Sequence, residues 1–158
     1  MVILTDSREK ESSHVLDWFD KKNISHKIKA LGNGDYSFYI PANSDLNIER
    51  DLYFDKEIMI ERKASLEELS TNLTAARTRF EEEMATYKGK KYLLIENADY
   101  SDIASQNYTS KFSPKAYLAS IHTFNHRYNL EVVFMPKKEF SPVWIYGTFT
   151  YYLKNIMR

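Results

Sequence analysis

The chain has 158 residues, 43% of them hydrophobic, with 22 basic residues balancing 22 acidic ones, and it contains no cysteine. Its length suits one domain, spanning 1–158, that buries about two-thirds of its unfolded surface; the missing cysteines exclude a disulfide framework, a thiolate zinc site and a cysteine nucleophile. Met1-Val2-Ile3-Leu4-Thr5-Asp6 reaches an acid before any signal-peptide core forms, and no apolar run has the length of a membrane span, so a cytoplasmic protein is expected.

Val2-Ile3-Leu4 predicts a short buried strand, and Val15, Leu16, Trp18 and Phe19 predict an amphipathic helix from Ser12 to about Lys22. Ile24 to Lys29 alternates as a strand and Tyr36 to Ile40 resumes that pattern after Leu31-Gly32-Asn33-Gly34, which predicts a hairpin. Residues 41–55 are polar and read as a loop or irregular strand, and Glu57 to Lys63 reads as a central strand. Ser65-Leu66-Glu67-Glu68 has the form of a capping box, and Ala76, Phe80, Met84 and Tyr87 form the stripe of a helix over Ala75 to Lys88. Tyr92 to Ile95 is a continuous apolar strand, Ser113-Pro114 opens a helix, Glu131 to Met135 is the last strand, and Ser141-Pro142 opens a final helix over Val143 to Met157. This alternation predicts an α/β fold: a central mixed, mostly parallel sheet with an antiparallel hairpin and helices on both faces.

Three acidic clusters fall at strand ends: Asp6-Ser7-Arg8-Glu9, Gly34-Asp35-Tyr36 and Ile60-Glu61-Arg62-Lys63. Each alone fits a turn or a solvated strand end. Together they carry acids toward the sheet edge where α/β proteins bind ligands. Glu61 and Lys63 are two apart, so a strand turns both to one face, where a carboxylate can hold a divalent cation and an amine can steady developing charge. The zero net charge gives no push toward nucleic acid, but Lys21-Lys22, Lys27 with Lys29, Arg77 with Arg79, Lys88 to Lys91 and Lys137-Lys138 offer cations for phosphate. His122 and His126 are four apart without the glutamate of a zinc protease, and no nucleotide-binding glycine loop is present. Most of the tyrosines and phenylalanines fall within apolar stripes, which predicts core, and Tyr36, Phe38 and Tyr108 are the candidates to stack on bases.

These motifs resemble the XPF-type structure-specific nucleases, a branch of the PD-(D/E)-X-K nucleases with the signature G-D, then E-R-K-x-x-x-D, preceded by D-x-R-E. Gly34-Asp35, Glu61-Arg62-Lys63 and Asp6-Ser7-Arg8-Glu9 match, and Glu67 stands where the signature has Asp. The resemblance implies a restriction-endonuclease-like core and Mg²⁺ or Mn²⁺. It makes Asp35 and Glu61 the metal-binding carboxylates and the Arg62 carbonyl a further ligand. Lys63 becomes the catalytic lysine and Asp6 a supporting acid that is also a candidate ligand. Arg8, Glu9, Arg62, Glu67, Arg77 and Arg79 are supporting or DNA-binding candidates; for Arg77 and Arg79 a surface ion pair with Glu81, Glu82 or Glu83 is the equal alternative.

The expected function is therefore metal-dependent endonucleolytic hydrolysis of DNA at branches such as flaps or forks, in repair or recombination. The alternative is a catalytically silent nuclease-fold module that binds DNA or a recombination or replication partner. No helix-hairpin-helix module is expected in the chain, a phage or prokaryotic role fits its size, and the apolar last helix predicts a homodimer.

Overall fold

A computed structural model describes all residues, 1–158. The strands are β1 (Val2–Asp6), β2 (His26–Lys29), β3 (Tyr36–Ile40), β4 (Leu52–Tyr53), β5 (Ile58–Lys63), β6 (Lys90–Glu96) and β7 (Leu130–Met135). The helices are α1 (Ser13–Lys21), α2 (Leu66–Leu73), α3 (Arg77–Thr86), α4 (Tyr100–Ala104), α5 (Pro114–Tyr128) and α6 (Ser141–Ile156). The strands hydrogen-bond in the order β2-β1-β3-β5-β6-β7, with β4 on β3. This is a mixed α/β sheet with helices around it, the class expected. Its pairs β1–β2 and β6–β7 are parallel, and β3 is antiparallel to β1, β4 and β5.

The expected hairpin between residues 24–29 and 36–40 is not formed. β1 lies between β2 and β3, because the first helix returns the chain parallel to β1, as a strand-helix-strand crossover requires. Asn33-Gly34 instead ends a longer excursion that takes the chain over β1. The antiparallel partner of β3 on the next stretch of chain is β4.

The chain divides into two compact units, Met1–Ile60 with Glu139–Arg158, and Glu61–Lys138. In the first, Phe38 is fully buried, stacked on Phe54 at 4.6 Å and packed against Phe149 at 5.4 Å, so aromatic area fixes α6 on one sheet face. Phe19 of α1 packs on His26 of that same face. In the second, Phe80 of α3 stacks on Phe124 of α5 at 5.4 Å. There Ser65 caps α2 by accepting the Glu68 amide, while the Glu68 carboxylate accepts the Ala64 amide, a capping box shifted by one residue. No helix is long and apolar enough to cross a membrane.

Candidate active site

Gly34 and Asp35 connect the end of β1 to the middle of β5. Asp6 N–H donates to the Asp35 carbonyl and Asp35 N–H donates to the Ile60 carbonyl, both at 2.8 Å, so the Asp35 backbone is tied on both sides. Gly34 has φ +71°, and a Cβ there would lie 2.9 Å from Met59 Cβ and Sδ. Only glycine reconciles that turn with so close an approach to β5. The chain step after Ile60 is Glu61, and thus a backbone bond links Asp35 to the residue before the second acid.

Asp6 is 3% exposed. Its Oδ1 accepts the Leu31 amide at 2.8 Å and its Oδ2 accepts Arg8 Nε at 3.0 Å, while the other end of that guanidinium donates to the Leu31 carbonyl at 2.8 Å. The pair fastens the turn before Gly34 to β1. Both Asp6 oxygens thus accept hydrogen bonds from the protein itself. Glu9 is half-buried just beyond, its amide on the Asp6 carbonyl and its Oε1 3.4 Å from the Glu11 amide.

In the second unit, Lys63 Nζ donates to Glu61 Oε1 at 3.0 Å, with 8% and 16% of the side chains exposed, and the ammonium lies 5.4 Å from the Phe80 ring centre. Strand alternation sends the intervening residue the other way. Arg62 Nε reaches Glu96 Oε1 at 2.7 Å, with both side chains buried. The Arg62 side chain is thus held in a buried ion pair beneath the strand. Glu96 was missed in the sequence; its signal was an acid closing the apolar run Tyr92 to Ile95 without a turn residue between.

The remaining candidates have hydrogen-bond partners of their own. Glu67 is exposed on α2 and its Oε2 accepts the Thr109 amide at 3.0 Å. Arg77 is held by Glu81, the Leu73 carbonyl and Ser120 Oγ, the last at 2.7 Å. Arg79 pairs with Glu83 one turn on, largely exposed. For both arginines the ion-pair alternative is the one formed. Tyr36 and Phe38 are fully buried and build the core, whereas Tyr108 is half-buried, donating to the Phe112 carbonyl with its ring edge-on to Tyr117. His122 shares a hydrogen bond with Tyr100 at 2.9 Å.

The ERCC4 domain family model matches residues 5–148, which takes in every one of these positions. The chain belongs to the ERCC4 domain family. The fold of this ERCC4 domain is that of the XPF structures from Aeropyrum pernix. One, solved in complex with DNA, superposes with a TM-score of 0.69 at 16% identity, over 98% of this chain and 66% of that one. A second from the same organism gives 0.64 at 16% identity, over 92% and 61%. The ERCC4 domain thus spans under two-thirds of the length of those chains. No curated protein matches it in sequence.

Metal chemistry is testable against the donors present. No group of three or more His, Cys, Asp or Glu side chains converges. Asp35, Glu61 and a backbone carbonyl are hard oxygen donors, and one or two carboxylates with room for water and phosphate is how Mg²⁺ is usually held. The donor set fits that ion.

Proposed function

We propose that this ERCC4 domain is a divalent-metal-dependent DNA endonuclease acting at branched DNA such as flaps or forks. The observation that carries the reading is the Glu61–Lys63 pair on one face of β5, together with an Asp35 whose amide is anchored on Ile60. Family membership supports it, as does the DNA-bound state of the similar Aeropyrum pernix XPF.

In this reading Asp35, Glu61 and the Arg62 carbonyl would hold Mg²⁺ or Mn²⁺. The ion, when bound, polarises the phosphoryl oxygen and makes water a better nucleophile. Lys63 orients that water and balances the charge that builds on the phosphorus oxygens. Water adds to phosphorus and releases one proton to solvent, one P–O bond to the sugar breaks, and the leaving oxygen takes a proton from solvent. Asp6, through Arg8 and Leu31, positions the Asp35 turn, and Glu96 positions Arg62. Lys63 also keeps Glu61 oriented, since the shared hydrogen bond fixes one carboxylate oxygen.

Labelled flap, fork, four-way junction, duplex and single-stranded DNA, each with Mg²⁺, Mn²⁺ or chelator, test this directly. Branched substrates should be cut with metal and spared with chelator, and Asp35→Asn and Lys63→Ala should each abolish cutting with an unchanged circular dichroism spectrum. Cutting in chelator, or full activity in both variants, rejects the mechanism. We further propose a homodimer through α6, whose Val143, Tyr151 and Ile156 leave apolar area exposed; light scattering that gives only the monomer mass at micromolar protein rejects it.

A further inference from the structure

The sheet of the first unit has two unlike faces. His26 and Phe38 lie under the helices, in ring contact with Phe19 and Phe149. Alternation along β2 and β3 turns Lys27, Lys29 and Tyr39 to the opposite face, together with Leu4, Leu31 and Val2 in a small apolar cluster around Tyr39. Tyr39 is the register partner of Tyr53 on β4, and their rings stack at 4.9 Å. Lys29 Nζ lies 3.8 Å from the Tyr53 ring centre and Lys27 Nζ 5.4 Å from that of Tyr39. Two exposed ammonium groups are therefore seated on one tyrosine stack.

Such a seat changes what a surface lysine can do. The ring face attracts the cation and its stem lies along apolar area, so less side-chain freedom remains to be lost when an anion binds. Hydrogen bonding and charge interaction with the Tyr39 phenol also raise the proton affinity of Lys27. Residues two apart on a strand are about 7 Å apart, close to the step between successive phosphates on one DNA strand.

The lysines also stand near the acids in the sheet. Lys29 is the register partner of Asp6, and Asp6 N–H is bonded to the Asp35 carbonyl. From β2 across β1 to β3 is two strand spacings, about 10 Å, a distance a nucleic-acid backbone covers in one or two nucleotides. We propose that Lys27 and Lys29, seated on the Tyr39–Tyr53 stack, form a phosphate-binding rack that holds the DNA strand leading to the Asp35 end of the sheet. This rests on the reading that the chain binds DNA and adds where one strand of it runs.

The test is binding of fluorescein-labelled fork and duplex DNA by the whole chain, with Ca²⁺ in place of Mg²⁺, across about 50 to 200 mM KCl. In K27A/K29A, affinity should fall for both DNAs alike and the slope of log affinity against log salt should become shallower by about 2, one for each phosphate that the variant no longer neutralises. Lys29→Gln alone should give about half that change, and K27R/K29R should restore the slope. With Mg²⁺, KM for the fork should rise in K27A/K29A while kcat at saturating DNA stays that of the parent. Parent-like affinity and slope in K27A/K29A, with the parent's melting temperature, overturns the rack. So does a parent chain that sediments with phosphatidylserine vesicles but binds no DNA. A chain that binds through the rack yet never cuts defeats the nuclease reading and leaves the rack standing, whereas cutting with KM and slope unaltered in the variant does the reverse.

Discussion

Arg62 and Glu96 form an ion pair at 2.7 Å with 4% and 0% of their side chains exposed, joining the neighbouring strands β5 and β6. Because Arg62 separates Glu61 from Lys63, burying its guanidinium on one face commits the other two side chains to the opposite face. The pair is a register lock more than a source of net stability, since desolvation offsets most of its attraction. Removing one partner exposes the cost of the other. Glu96→Ala should lose about 3–5 kcal/mol in urea unfolding, and Glu96→Gln, which keeps an oxygen acceptor for Arg62, should lose less. A Glu96→Ala protein within about 1 kcal/mol of the parent would mean that the guanidinium finds water or another acceptor.

Gly34 fixes Asp35 in the same way from the other strand. Ala at this position must adopt φ +71° and place its Cβ 2.9 Å from Met59 Cβ and Sδ. Gly34→Ala should therefore lose about 1–3 kcal/mol, read as a fall in Tm of about 2–4 °C per kcal/mol. Cutting should fall further than stability, since the displaced residue is the next one, Asp35. Adding Met59→Ala removes the contact with Sδ but leaves the Met59 Cβ contact and the backbone strain, so calorimetry on G34A/M59A should show a Tm still below that of M59A.

The strand and helix order was legible because apolar periodicity and proline or serine helix starts are local signals: Ser113-Pro114 does open α5 and Ser65 does cap α2. Strand pairing was not. The expected hairpin failed because Asn33-Gly34 signals a reversal without naming its partner, and β1, far away in sequence, lies between the two strands. The acids Asp35 and Glu61 stand out as strand-end clusters and through the resemblance of their motifs to the nuclease signature, but what each side chain bonds depends on contacts distant in sequence. Asp6 is taken by Leu31, Arg62 by Glu96 and Arg77 by Ser120. α4 was missed since its five residues are too few for a stripe; its Asp99 and Asp102 capping box was the one available sign.

Glu67 stands where the family signature has Asp, and its carboxylate is spent on the Thr109 amide at 3.0 Å. A carboxamide oxygen can accept that same bond. Glu67→Gln should therefore keep kcat within about threefold of the parent, under 1 kcal/mol in barrier height, while Glu67→Ala should lose about 1 kcal/mol of stability through the freed segment before α5. Single-turnover cutting of a fork decides it: a Glu67→Gln rate down by about a hundredfold, near 2.7 kcal/mol in barrier height, would show that the negative charge itself, not the hydrogen bond, is what the reaction needs.

Tyr117 ties α5 to the start of α2, its buried hydroxyl donating to the Leu66 carbonyl at 2.7 Å. Burial, helped by Tyr108 and Glu67, holds its pKa well above the ordinary phenol value of 10.0. The folded state therefore keeps this proton at pH values where the unfolded chain has released it. Its contribution is complete below about pH 10 and declines above that, at up to about 1.4 kcal/mol per pH unit. Tyr117→Phe should lose about 1–3 kcal/mol at neutral pH, the hydrogen bond together with a buried carbonyl left without it. Its urea-unfolding free energy should then fall less steeply than the parent's above about pH 10. Parallel alkaline slopes in the two proteins would show that the phenol titrates alike in the folded and unfolded chains, and that the hydroxyl is reached by water in spite of its burial.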